Sequence, residues 1–111
     1  HRTPAPSGRD ATSVSTVDPG GTVGQITSLA LDSSGFPVIS YLDGSASTLK
    51  IAHCIDANCA STPSLITADP TTASGRWSSL QLSSGGFPVI SYWDDTNAGL
   101  KLAHCVNANC N

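Results

Sequence analysis

The sequence predicts an all-β protein built from two copies of one antiparallel, four-stranded unit. Three observations predict it. The stretch GFPVISY stands at Gly35 to Tyr41 and again at Gly86 to Tyr92, and each copy leads to LK(I/L)AHC and then to a second cysteine. No window of ten residues carries apolar side chains at a helical period. The composition points the same way: Ser and Thr occupy 28 of 111 positions, and Gly and Pro another 17. Such residues compete with or stiffen a helical backbone and favour short strands and turns.

The offset between the copies is 51 residues, and it holds without a gap. It carries Asp18 and Pro19 onto Asp69 and Pro70, Leu29 and Leu31 onto Leu80 and Leu82, Lys50 onto Lys101, His53 onto His104, and Cys54 and Cys59 onto Cys105 and Cys110. Residues 10–60 and 61–111 are therefore two consecutive repeats, identical at about half their positions. Residues 1–9, HRTPAPSGR, have no counterpart and read as an extended arm or linker.

Turn signals divide each repeat into four short strands. Val14, Ser15, Thr16 and Val17 form the first (Leu65 to Ala68 in the second repeat), ended by Asp-Pro. Ser28 to Leu31 is the second, with both leucines on one face and Ser-Ser-Gly as the turn. FPVISY is the third and most apolar, and LKIAHC the fourth; the loop between them spans 43–48, or 94–99 in the second copy. Four strands at a period of roughly 40 to 50 residues is the signature of a β-propeller blade, whose sheet is covered only by neighbouring blades.

The strand order has a consequence. If SLAL, FPVISY and LKIAHC begin a blade, the strand after the cysteine pair closes it, and residues 14–17 correspond to that closing strand. The first such strand then belongs to a blade outside this chain, and the last blade lacks its own. Unpaired edges recruit other strands, so the blades are expected to be completed by strand exchange between chains. A head-to-tail contact of this kind is heterologous and gives a ring or an open filament. The alternative is that the 111 residues are a piece of a longer propeller.

The pattern SLxLxSxGFPVISYxD, then LKxAHC and a second Cys, resembles the multi-repeat β-propeller segments of secreted bacterial proteins, loosely akin to sialidase or Asp-box blades. The resemblance spans residues 10–111. It implies blade architecture; it implies no activity, because one fold hosts many functions. The Ser-x-Asp-x-Gly-x-Thr-Trp loop of sialidase blades is not met. Ser40-Tyr41-Leu42-Asp43-Gly44 is the nearest stretch, and the second repeat lacks its glycine.

Charge excludes several function classes. Charged residues are 12% of the chain and the net charge is −3, so there is no basic face for a nucleic-acid backbone or an anionic membrane surface. The longest apolar runs are four to six residues, far short of the roughly 20 that span a bilayer. Two C-x4-C pairs, Cys54 with Cys59 and Cys105 with Cys110, read as disulfides within each repeat, which implies an oxidising, extracellular or cell-surface setting. A metal site is disfavoured, since adjacent strand residues such as His53 and Cys54 point to opposite faces; no cofactor is expected.

His53 and His104 share a strand face with leucines and read as hydrogen-bonded packing elements. Asp18, Asp69, Asp43 and Asp94 precede turns and read as caps. The candidate ligand residues are Trp93, Asp94, Asp95 and Asp43, where a loop aromatic beside carboxylates suits a glycan. Tyr41 and Tyr92 read as core. No nucleophile elbow, phosphate loop or catalytic set is present, and Arg2, Arg9 and Arg76 form no cluster for an acidic sugar. The expectation is a non-enzymatic, extracellular protein that assembles with itself; the alternative is a glycan- or protein-binding propeller module.

Overall fold

The computed structural model describes residues 14–70 and 76–110. The leader at residues 1–9 lies outside them. Among the described residues the protein is all-β, with seven strands and no helix. Strands β1 (Val23–Leu31), β2 (Pro37–Asp43), β3 (Thr48–His53) and β4 (Ser64–Asp69) form one antiparallel sheet in the order β1-β2-β3-β4. Strands β5 (Arg76–Leu82), β6 (Pro88–Asp94) and β7 (Gly99–His104) form a second, in the order β5-β6-β7. The sheet boundary is thus offset from the sequence repeat: β4 belongs to the second repeat but pairs with β3 of the first, with Ile66 opposite Ile51.

Local chemistry sets the hairpins. The Asp32 carbonyl accepts a hydrogen bond from Gly35 N at 2.9 Å, while Asp32 N donates to Phe36 O at 2.9 Å. Gly35 has φ +81° and its repeat mate Gly86 +82°, a backbone region open to glycine and strained for other residues. Asp32 Oδ1 adds two bonds, from the backbone of Ser34 and Phe36. In the second repeat Ser83 Oγ accepts from Phe87 N. Ile26 and Trp77, also repeat mates, have φ of 52° and 49° and sit where the β1–β2 and β5–β6 registers slip. These are β-bulges, and they bend the same strand at the same place in each sheet.

Period-2 alternation gives each sheet two faces. The front of the first sheet carries Val38, Ser40, Leu49 and Ile51; its back carries Leu29, Leu31, Ile39 and Tyr41. The second sheet lays its back, with Leu80, Ile90 and Tyr92, on the front of the first, and these residues together with Val38, Leu49 and Ile51 make the core. Ser40 Oγ meets Ser78 Oγ at 2.9 Å across this contact, and Ser28 Oγ accepts from Leu80 N at 3.1 Å. The two remaining faces point outward.

Two expectations are modified. Residues 14–17, expected as a strand, lie in none, since no described strand pairs with them. The strand at Ser28–Leu31 is longer than its alternation suggested, reaching back to Val23 through the bulge, where the register shift breaks the period.

Ile51 is fully buried and its repeat mate Leu102 is exposed. Ile51→Ala is expected to lower the free energy of unfolding by about 2–5 kcal/mol, and Leu102→Ala by no more than about 0.5 kcal/mol. Urea titration of the monomer at low concentration measures both.

Candidate assembly surfaces and an aromatic cluster

Each repeat carries an aspartate, a tyrosine and a lysine that meet in space. Asp69, at the end of β4, accepts from Tyr92 Oη at 2.6 Å and from Lys101 Nζ at 3.1 Å, and so ties the first sheet to the second. Asp18 makes the same pair of contacts 51 residues earlier, with Tyr41 Oη at 2.7 Å and Lys50 Nζ at 3.2 Å. Asp18 Oδ1 also caps its own turn through Gly20 N, as the sequence suggested. Tyr41 and Tyr92 are core residues, and their hydroxyl protons are held up by burial first and then by the adjoining carboxylate. Burial opposes ionisation of Asp18, but the hydrogen bonds from Tyr41, Gly20 N and Lys50 outweigh it and hold its carboxyl below the usual range. The Lys101 ammonium is held in its charged form mainly by its hydrogen bond to Asp69.

This joint was legible only as repetition. Asp18, Tyr41 and Lys50 all recur at the 51-residue offset, yet nothing local says that they touch.

A second joint lies on the front of the first sheet. His53 Nε2 contacts Asp32 Oδ2 at 2.7 Å, and Nδ1 contacts Asn109 Oδ1 at 2.7 Å and Ala108 O at 3.0 Å. Asn109 and Ala108 belong to the disulfide loop of the second repeat, closed by Cys105 and Cys110; Cys54 and Cys59 close the first. His53 is thus a hydrogen-bonded packing element. His104 is exposed: its sheet has Ser83 where the first has Asp32. The Asp32 carboxyl is held low, with burial outweighed by the His53, Phe36 and Ser34 hydrogen bonds.

Repeat mates on the outward and covered faces differ sharply in exposure. Leu29 is 62% exposed and its mate Leu80 5%; Leu100 is 80% exposed and Leu49 0%; Leu102 is 68% exposed and Ile51 1%. On the back of the first sheet Val17, Asp18, Val23, Thr27, Ile39 and Tyr41 line a shallow, largely apolar cleft. Among the described residues β7 has no neighbour on its outer side.

The candidate ligand residues separate. Asp94 is buried, and its Oδ1 accepts from the backbone of Thr96 and Asn97 while Oδ2 accepts from Asn97 Nδ2 at 2.9 Å. Chiefly through that Asn97 bond its carboxyl is held low. Asp43 caps the equivalent turn, accepting from Ser45 N and Ala46 N. Both are committed to the hairpin. Asp95 instead turns to Trp93, accepting from Nε1 at 3.0 Å, and lies 3.7 Å from Arg76 Nε.

Arg76 stands opposite Trp93 across β5 and β6, and its guanidinium lies 6.0 Å from the Trp77 ring centroid. Arg76, Trp77, Trp93 and Asp95 therefore form one partly exposed cluster. In the first repeat the same positions hold Gln25, Ile26, Leu42 and Gly44. Single-residue inspection offers Trp77 and Trp93 as aromatics that could stack on a sugar, with Trp93 and Asp95 the preferred candidates, but gives Arg76 no part in the site; the signal was that all four positions differ between repeats.

No group of three or more metal-ligating side chains comes together among the described residues, and no helix among them is long and apolar enough to cross a membrane. No family model, curated protein or solved structure matches the chain.

Because Asp18 and Asp32 titrate below their unfolded value of 3.8, they favour the folded state above that pH and release the contribution as pH falls through the lower folded values. The urea midpoint is expected to hold steady from about pH 7 to about pH 5 and to drop from about pH 4 downward. Asp18→Asn should flatten that acid limb, as midpoints measured across the range would show.

Proposed function

We propose that the protein is a non-enzymatic, extracellular structural protein that assembles head to tail, with residues 14–17 of one copy completing the second sheet of another as the fourth strand of a propeller-like blade. The observation that carries this reading is the unequal pair of sheets: β4 adds to β3 in the first, while β7 has no such partner among the described residues. Transferring the β3–β4 register by 51 residues sets Val14 opposite Ala103, Ser15 opposite Leu102 and Thr16 opposite Lys101.

Asp18 supports the same reading. Its contacts to Tyr41 and Lys50 match those of Asp69, so the segment before it leaves the first sheet tethered as β4 is tethered to the second. Two disulfides fit the oxidising surroundings of a cell surface or secreted assembly. Deleting residues 1–17 is expected to convert assemblies into monomers, as sedimentation velocity on unreduced protein would report; persistence of the full-size species would refute the strand-exchange reading.

The Arg76, Trp77, Trp93 and Asp95 cluster favours a second reading, a glycan-binding module. Exposed indole faces stack on sugar rings, and Asp95 and Arg76 offer polar groups for hydroxyls. Under this reading, Trp77→Ala lowers binding on a glycan array at least tenfold while leaving the circular dichroism spectrum unchanged. A blank array for the wild type removes it.

A further inference from the structure

We infer that the front of the second sheet is a docking face for the back of the first sheet of another copy, packed as the two sheets pack within one chain. The inference rests on the head-to-tail reading and gives that contact its apolar surface. Its ground is the repeat itself. The face to be covered holds Val89, Ser91 and Leu100 where the buried one holds Val38, Ser40 and Leu49, and the face to cover it holds Leu29, Ile39 and Tyr41 where the internal one holds Leu80, Ile90 and Tyr92. All six pairs are identical residues.

The occupant is therefore a second copy of this chain. The surface that already fits one of these fronts is a back of the same composition, and among the described residues no sheet covers the second front or the first back, where Tyr41 is shielded by the Asp18 segment while Leu29 and Leu31 are exposed. Leu29, Leu100 and Leu102 are exposed where their mates are in the core. The geometry agrees with strand exchange, because within the chain one displacement produces both relations: β4 pairs in the first sheet, and the next strand, β5, lies over β1 and β2.

Specific polar pairs follow from the same displacement. Ser40 Oγ meets Ser78 Oγ inside the chain, so Ser91 of one copy meets Thr27 of the next. His53 meets Asn109, so His104 meets Asn58 of the next copy. Ser83 in place of Asp32 removes the carboxylate from this second contact, and Gln81 and Trp93 replace Ala30 and Leu42 at the margin. The apolar centre stays apolar, with Leu102 in place of Ile51.

The experiment uses the full chain in three forms beside wild type: Leu102→Glu, Thr16→Pro, and a mixture of separate Ser91→Cys and Thr27→Cys proteins under mild oxidation. Leu102 is exposed in the monomer, so its substitution does not disturb the fold; far-ultraviolet circular dichroism and an unchanged urea midpoint at low concentration verify that. The expected result is at least a tenfold weaker self-association for Leu102→Glu, and a disulfide-linked dimer that requires both cysteine proteins. Assembly undiminished by Leu102→Glu, with no mixed dimer, overturns the face inference; if Thr16→Pro still abolishes that assembly, strand exchange stands without it. Loss with Leu102→Glu and a mixed dimer, but no effect of Thr16→Pro, supports the face and removes strand exchange. A wild type that stays monomeric at all concentrations, with no mixed dimer, overturns both, and the face is then covered by something other than a second copy.

Discussion

A sheet made from this repeat has two apolar faces and can cover neither by itself, and everything else in the structure follows from how that surface is shared. Val38, Leu49 and Ile51 lose their water only when Leu80, Ile90 and Tyr92 arrive over them. Each such side chain contributes about 1.5–3 kcal/mol when fully buried, so the stacking of sheets is the main source of stability. Hairpins of this length are marginal alone. The same requirement leaves a front and a back uncovered at the two ends of the stack.

Apolar burial has no direction, and polar pins supply it. The Asp69 carboxylate holds Tyr92 and Lys101, and His53 holds the Asn109 loop while resting on Asp32. A buried tyrosine hydroxyl left without an acceptor costs about 1–3 kcal/mol, so a sheet that slides relative to its neighbour loses both the bond and the solvation. The hydroxyl pair of Ser40 and Ser78 acts likewise in the middle of the contact. Packing supplies the energy, and these bonds select one position for it.

Where the two repeats diverge, they do so in clusters. The core positions of GFPVISY are unchanged, because each must fit the same kind of neighbour. Gln25, Ile26, Leu42 and Gly44 become Arg76, Trp77, Trp93 and Asp95 together, at one corner of the second sheet. The bulge that holds Ile26 and Trp77 at positive φ is kept in both repeats, although such a backbone costs on the order of 1–3 kcal/mol for a non-glycine residue. The scaffold is constant there, and the side chains it displays are not.

Apart from residues 14–17, expected as a strand and found in none, the strands, their antiparallel hairpins and the two disulfide loops were legible in the sequence, since alternation, Gly35 and Gly86 at the turns, and cysteine spacing are local signals. So was the assignment of β4 to a sheet begun by the preceding repeat. What alternation cannot say is which of two equally apolar faces is covered. Leu49 and Leu100 sit in nearly the same local sequence, and one is buried while the other is in water. Nor could it show that Asp18 and Asp69, read as turn caps, reach tyrosines 23 residues on, or that Asp95 turns away from Asp94 toward Trp93. The sequence by itself determined the strands and their repetition, because those depend on each residue's neighbours along the chain. The tertiary structure alone decided burial and the polar joints, because those depend on which sheet lies opposite.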